Sequence, residues 1–232
     1  MSETRISQTM ISITDLKKHY DYGMVQALKG ISLEIEKGEI VSVMGPSGCG
    51  KSTLLHLLGA LDLPTEGEIR IDGKNILDFR PFASFRAKMV GFIFQFHHLI
   101  PNLSLLENVE LPLYSFPVSK RERREKAIYW LRVMELGDRM HFLPTRVSGG
   151  ERQRTAIARA MVNDPRIILA DEPTGSVDTA VGHRILDQLI RLCDEKKRTA
   201  VIATHNLQIA ERTKRIIRLR DGLLEGISLT AA

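Results

Sequence analysis

Ile40-Val-Ser-Val-Met44 runs directly into Gly45-Pro-Ser-Gly-Cys-Gly50-Lys51-Ser52, and the residues from Gly45 onward fit G-x-x-x-x-G-K-[ST] in full. The apolar run before the loop predicts a strand, and Thr53 to Leu61 after it predicts a helix. The motif therefore stands at the strand-to-helix junction it requires. Glycines there let the backbone wrap a phosphate chain, so that successive N–H groups and a helix N-terminus face anionic oxygens. Lys51 is expected to reach the β and γ phosphates, and the Ser52 hydroxyl to ligate Mg²⁺. A glycine turn that binds nothing would not call for Lys and Ser at these two positions. Cys49 reads as a small side chain filling the loop, because no His or acid accompanies it in sequence. Gly45, Pro46, Ser47, Gly48, Cys49, Gly50, Lys51, Ser52 and Thr53 form the expected phosphate-contacting set.

Working outward, the early chain reads as short strands at Ile11 to Leu16, Ile31 to Ile35, Ile40 to Met44 and Gly67 to Ile71, the last ending at an Asp72-Gly73 turn. Ser119 and Glu122 are spaced as a capping box ahead of Ala127, Trp130, Leu131 and Met134 on one helical face. Ile167 to Ala170 and Ala200 to Ala203 are short apolar runs separated by a helical stretch from about Ala180 to Asp194, a pattern that predicts buried parallel strands with a crossover helix. Ligands in such sheets sit at the carboxyl ends of the strands. The first run ends in Asp171-Glu172, and two acids at the end of a buried strand cost free energy unless a cation or ligand uses them. Asp171 is expected to hold Mg²⁺ and Glu172 to polarise an attacking water as general base.

The chain has 232 residues, 43% of them hydrophobic, enough for one core with a satellite subdomain and no dividing linker, repeat or low-complexity tract. A formal charge of +5 is too modest to choose among nucleic acid, anionic lipid and nucleotide as partner. Lys120 to Lys126 carries five cations and two anions, which reads as a solvated helix face. Cys49 and Cys193 give no disulfide framework or metal cluster and suggest a reducing compartment, with the cytosol as default. Met1 to Thr9 is polar, and nowhere do about 18 apolar residues run together, so membrane association would have to come from something else.

Val147-Ser148-Gly149-Gly150-Glu151-Arg152-Gln153, followed by Ala156, Ile157, Ala160 and Met161, resembles the signature of ABC-type ATPases. Gln95 after the apolar run Val90 to Phe94, the Gly175-Ser-Val-Asp178 turn, and His205 after Thr199 to Thr204 agree with it in order. The resemblance covers nearly the whole chain. Val147 and Val177 stand where Leu is usual, and both keep an apolar contact. It implies an α/β P-loop NTPase fold: a RecA-like core with a mainly parallel sheet, an N-terminal antiparallel β subdomain and an inserted α-helical subdomain. The chain would be a single ABC-type ATP-binding domain over 1–232, with the core and β subdomain at about 1–95 and 164–232 and the helical subdomain at about 96–163. ATP and Mg²⁺ are the implied ligands. Ser148, Gly149 and Gly150 would close over the nucleotide of a second copy, giving a homodimer with ATP at the interface. Gln95 would sense Mg²⁺ and the lytic water, His205 would contact the γ-phosphate, and Asp178 would communicate across the dimer. Tyr20 stands where the family places an adenine-stacking aromatic, with Tyr22 as the alternative.

Phe94-Gln-Phe-His-His-Leu-Ile-Pro-Asn-Leu103, Leu106-Glu-Asn-Val109 and Ala170-Asp-Glu-Pro-Thr-Gly175 resemble the branch that holds lipoprotein-releasing ATPases, macrolide and peptide exporters and the cell-division ATPase. Adjacent His97 and His98 diverge and lack a third ligand, so they read as surface or interface residues and not as a metal site. The implied partner is a separately encoded integral membrane permease, with the chain cytoplasmic and peripheral on the inner face of the membrane. A module that gates an extracytoplasmic enzyme without moving solute is the alternative. A soluble ATPase acting on DNA or ribosomes usually needs coiled-coil insertions or two ATPase units, which this chain lacks, so no direct nucleic acid partner is expected.

Overall fold

The computed structural model describes residues 8–230; of the polar stretch Met1 to Thr9, only Gln8 and Thr9 fall among them. In chain order the elements are β1 (Thr9–Tyr20), β2 (Val25–Glu36), β3 (Ile40–Met44), α1 (Lys51–Leu58), β4 (Glu66–Ile71), β5 (Lys74–Asn75), α2 (Phe82–Met89), β6 (Val90–Ile93) and α3 (Leu105–Glu110). Then follow α4 (Lys120–Val133), α5 (Gly149–Met161), β7 (Ile167–Asp171), α6 (Thr179–Glu195), β8 (Thr199–Thr204), α7 (Leu207–Ala210), β9 (Arg215–Arg220) and β10 (Leu223–Leu229).

Two sheets form, ordered β2-β1-β4-β5 and β10-β9-β3-β8-β7-β6. The first is antiparallel, and from Ile31 to Glu36 its strand β2 alternates buried and exposed residues, as a sheet with one covered face demands. Asp72 and Gly73 both take positive φ and close the β4–β5 hairpin, the geometry a two-residue Asp-Gly turn favours. In the second sheet β9, β3, β8, β7 and β6 run parallel, and only β10 is antiparallel to its neighbour. Every residue of β8, and all but the last of β3 and β7, is buried, which explains the apolar runs Ile167 to Ala170 and Ala200 to Ala203, with Ser42 the buried polar exception in β3.

That central sheet has two different faces. Val41, Val43, Leu169, Val201 and Ala203 join a core with α1 and the inner face of the antiparallel sheet. Ile40, Ile93, Ile168, Ala170 and Ile202 join a second core with α3, α4, α5 and α6. Helix α1 thus lies between the two sheets, while α5 and α6 lie across the central sheet from it. On α6 the buried residues Ile185, Leu186, Leu189, Leu192 and Cys193 repeat at helical spacing and face that second core.

Two local expectations need correction. The helix after the phosphate loop stops at Leu58, not Leu61, because Gly59 caps it and Ala60 turns into left-handed φ. At α4 the Ser119 hydroxyl accepts from the Glu122 N–H at 3.2 Å, but the return bond from the Glu122 carboxylate is not formed, so the box is half made.

Gly91 in β6 shows how closely α5 rides on the sheet: a Cβ there would collide with the Ala160 carbonyl oxygen and sit 2.9 Å from Ile168 Cδ1. Backbone cannot yield as a side-chain tip can. Gly91→Ala should therefore destabilise the fold by about 1–3 kcal/mol, read as a lower urea midpoint; an unchanged midpoint would show that α5 can back away freely.

Candidate active site

The parallel strands deliver their carboxyl ends to one edge. In register, Met44 of β3 pairs with Thr204 of β8, Ala203 of β8 with Asp171 of β7, and Ala170 of β7 with Ile93 of β6. Just past these positions come the Gly45–Ser52 loop, His205, Glu172 and Gln95, so four separated segments meet along that edge.

Within the loop, Lys51 is buried and its ammonium donates to the carbonyl oxygens of Gly45 and Pro46 at 2.7 and 2.9 Å. Gly50 starts α1 at φ +106°, and a Cβ there would stand 2.6 Å from the Ala27 carbonyl oxygen, so only glycine fits this corner. Cys49 is buried in the loop, as its small side chain suggested. A support that the sequence reading missed comes from the far end of the chain. Asp221 and Gly222, both at positive φ, turn β9 into β10, and Gly222 donates its N–H to the Cys49 carbonyl at 3.2 Å while accepting from the Lys29 N–H at 2.9 Å. A second Asp-Gly pair between apolar runs was the available signal.

Glu172 sits at φ +45°, a left-handed conformation that costs a non-glycine residue about 1–2 kcal/mol. It is held there by its N–H to Ala203 O at 2.9 Å and by the turn bond from Gly175 N–H to its own carbonyl at 3.0 Å. Its carboxylate, mostly buried, pairs through one oxygen with His205 Nδ1 at 2.7 Å and lies 3.4 Å from the Thr204 hydroxyl through the other. Asp171 Oδ1 is buried and has no hydrogen-bond partner. Such an oxygen is costly unless a donor or cation completes it. The Gln95 amide lies against the following turn, since a Cβ on Gly175 would stand 3.0 Å from Gln95 Nε2. Asp178 caps α6, accepting from the Val181 N–H at 3.0 Å.

Tyr20 and Tyr22 differ sharply. The Tyr20 hydroxyl donates to Asp62 at 2.9 Å with Lys18 4.8 Å above the ring, whereas Tyr22 is wholly exposed on a left-handed residue. Burial, aided by Asp62, raises the Tyr20 pKa; burial also works against the Asp62 charge, yet Lys18, Tyr20 and the Leu63 N–H hold that carboxyl below its usual range. Asp62 was not singled out from sequence, because a partner 42 residues away leaves no local pattern.

The expected Ser148, Gly149 and Gly150 are not brought to the phosphate loop. They begin α5, on the other side of the central sheet from α1. Ser148 is the N-cap in a complete capping box: its hydroxyl accepts from the Glu151 N–H at 3.2 Å, and its own N–H donates to the Glu151 carboxylate at 2.8 Å. His97, expected at the surface or an interface, is instead only 6% exposed and packed within the chain; His98 is exposed. The left-handed backbone of His97, at φ +62°, turns its ring inward, where Nδ1 meets the Gln153 amide oxygen and Nε2 lies 3.4 Å from the Ser176 hydroxyl.

Fold and loop together define a P-loop nucleotide hydrolase. A family model described as ABC transporter matches residues 28–175. An uncharacterized ABC transporter ATP-binding protein of Thermotoga maritima is 47% identical, covering 94% of this chain and 94% of its own length. The lipoprotein-releasing system ATP-binding protein LolD of Syntrophus aciditrophicus is 44% identical over 92% of this chain and 97% of its own. Among solved structures, a dimeric post-hydrolysis state of the ATP-binding cassette MJ0796, a Methanocaldococcus jannaschii protein, with ADP and Pi superposes with a TM-score of 0.89 at 42% identity, covering 96% of this chain and 100% of the other. The chain belongs to the ABC transporter family, as an ATP-binding and ATP-hydrolysing subunit.

The Glu151 carboxyl is held below its usual range, first by the Ser148 N–H. A depressed folded-state value means that the box stabilises at neutral pH and is lost as pH falls through that value. Glu151→Ala should cost about 1 kcal/mol at pH 7, and the difference from wild type should shrink in acid below the ordinary carboxylate range. Urea unfolding at both pH values checks this; a difference independent of pH would show that the box is not its source.

Proposed function

We propose that this chain is the motor subunit of a membrane complex of the lipoprotein-release and macrolide-export type, working as a homodimer with ATP at the interface. The observation that carries the reading is the placement of its two helix-start anion sites. Gly45–Ser52 opens α1 on one face of the central sheet, while Ser148–Gly150 opens α5 on the other. One phosphate chain cannot use both within a single molecule, whereas a head-to-tail pair lets Ser148, Gly149 and Gly150 of one copy close over the loop of its partner. The dimeric MJ0796 cassette supports this arrangement.

In this reading the loop amides and Lys51 hold the phosphates, exchanging the present bonds to Gly45 and Pro46 carbonyls for anionic oxygens. Thr53 and Ser47 add contacts, and Tyr20, anchored by Asp62, offers its ring to adenine; Tyr22 is too far exposed to be held. The unpaired, buried Asp171 oxygen fits a cation, and Ser52, Gln95 and Asp171 are the residues that would hold Mg²⁺. When bound, that ion neutralises charge on the phosphate oxygens. Glu172 takes the proton of the attacking water as general base, and His205, already bonded to it, orients the carboxylate and reaches the γ-phosphate. Asp178 at the head of α6 lies in the turn that faces the second copy.

Coupling to a permease is assigned to the segment after Gln95. A cleft of about 400 Å³ opens there, lined by Leu61, Arg86, Phe92, Phe94, His98 and Pro112. An apolar floor with cationic edges suits a short cytoplasmic segment of a membrane protein. No helix among the described residues is long and apolar enough to cross a membrane, which fits a peripheral place on the inner, cytoplasmic face through that partner. We also retain the division into a core with its β subdomain at about 1–95 and 164–232 and a helical subdomain at about 96–163. The lipoprotein-releasing relative supports release of a cargo over the gating of an extracytoplasmic enzyme.

The roles separate in two variants. Glu172→Gln should bind ATP with near wild-type affinity, lose turnover by about 100-fold or more, and bring a permease out of solubilised native membranes when tagged. Lys51→Ala should lose ATP binding itself. Wild-type hydrolysis by Glu172→Gln would remove Glu172 as base, and recovery of ribosomes or DNA-processing factors in place of a membrane protein would overturn the transporter reading.

A further inference from the structure

The buried His97 ring is used by none of the roles above. It lies two residues beyond Gln95, and its neighbours come from two other segments of the site. Gln153, fully buried, belongs to α5, the helix that Ser148 begins; Ser176 belongs to the turn between Glu172 and Asp178. An imidazole with one proton has one donor and one acceptor. Nδ1 meets the side-chain amide of Gln153, and Nε2 lies a long 3.4 Å from the Ser176 hydroxyl, so one ring nitrogen serves each neighbour.

The backbone of the same segment is pinned independently. Arg159, also on α5, donates to the carbonyl oxygens of His97 and His98, each at 2.6 Å. That clamp does not need the imidazole. The segment after Gln95 would stay on α5 without the ring, while the ring adds a second reach to the turn, at Ser176, beside that of the Gln95 amide at Gly175. The turn is itself close to the start of α5, since a Cβ on Gly149 would stand 3.3 Å from the Ser176 carbonyl oxygen. A bulky residue in a left-handed conformation, with a polar neighbour at each ring nitrogen, is more than packing alone calls for.

We propose that His97 is a positioning residue for ATP turnover: its imidazole bridges Gln153 and Ser176, so that the Gln95 segment, the head of α5 and the Glu172–Asp178 turn move as one body when two copies close. The inference rests on the nucleotide-site reading above. Because the ring touches neither the loop nor its phosphates, its loss lowers the rate of the chemical step and not the binding of ATP.

The test uses the full chain with His97→Leu, Ser176→Ala and the double variant. Each single change should lower kcat about tenfold while the affinity for a fluorescent ATP analogue stays within about twofold, and the double should be no slower than the slower single. Thermal midpoints are measured alongside, and if His97→Leu does not fold, Ser176→Ala decides on the same kcat and affinity criteria. A kcat within about twofold of wild type in either single variant, affinity that falls in step with kcat, or effects that multiply in the double would each overturn the bridge. Glu172→Gln run in parallel reports separately on the nucleotide site: its failure would remove that reading, whatever the His97 split shows.

Discussion

The parallel pairing of β3, β8 and β7 is the constraint on which the rest of the molecule depends. Met44, Thr204, Ala203 and Asp171 stand in register, so whatever follows each strand emerges at one edge. The same pairing obliges the strands to be buried on both faces, and covering two faces requires helices on both sides. The phosphate-loop helix is consumed on one side, between the sheets, and the helix begun by Ser148 on the other. The two helix starts therefore lie on opposite faces of the sheet, and the proposed pairing of two copies rests on that separation.

The edge is also where the fold departs from local comfort. Lys51 is buried, Glu172 is held in left-handed φ, and one Asp171 oxygen has no partner. The left-handed backbone and the unpartnered buried oxygen cost free energy, and the buried Lys51 charge is met only by the Gly45 and Pro46 carbonyls. The two cores absorb that cost. Interior residues such as Ile168, Leu169, Val201 and Ile202 are fully buried on alternate faces, and Gly91 lets α5 sit directly on the sheet. Stability is concentrated in the layers and strain at their rim, as expected where rigid elements present a reactive site.

Much of the fold was legible because its signals are short in range. Short apolar runs marked β7 and β8, the run before the phosphate loop marked β3, and Asp72-Gly73 marked a turn, each decided by a handful of neighbouring residues. Reading Ile167–Ala170 and Ala200–Ala203 as parallel strands pointed to their carboxyl ends and so to Asp171 and Glu172, whereas Gln95 and His205 entered only through the family resemblance. What stayed hidden depends on contacts across tens of residues: Asp62 under Tyr20, Gly222 behind Cys49, and the His97 ring between Gln153 and Ser176. Diverging side chains at His97 and His98 point to the surface or an interface, but His97 turns inward on a left-handed backbone that nothing in the local sequence demands. Helix α1 was drawn too long because Gly59 sits inside an otherwise apolar run.

The central claim is that the start of α5 in one copy completes the phosphate site of another. It is tested most directly by the mass of the hydrolysis-deficient Glu172→Gln chain in ATP, by light scattering, with and without Ser148→Arg. The account predicts close to twice the 26.1 kDa of the single chain for Glu172→Gln, and a return to the single mass when Ser148→Arg is added, with ATP still bound. A chain that stays single in ATP, or a pair indifferent to Ser148→Arg, would contradict it.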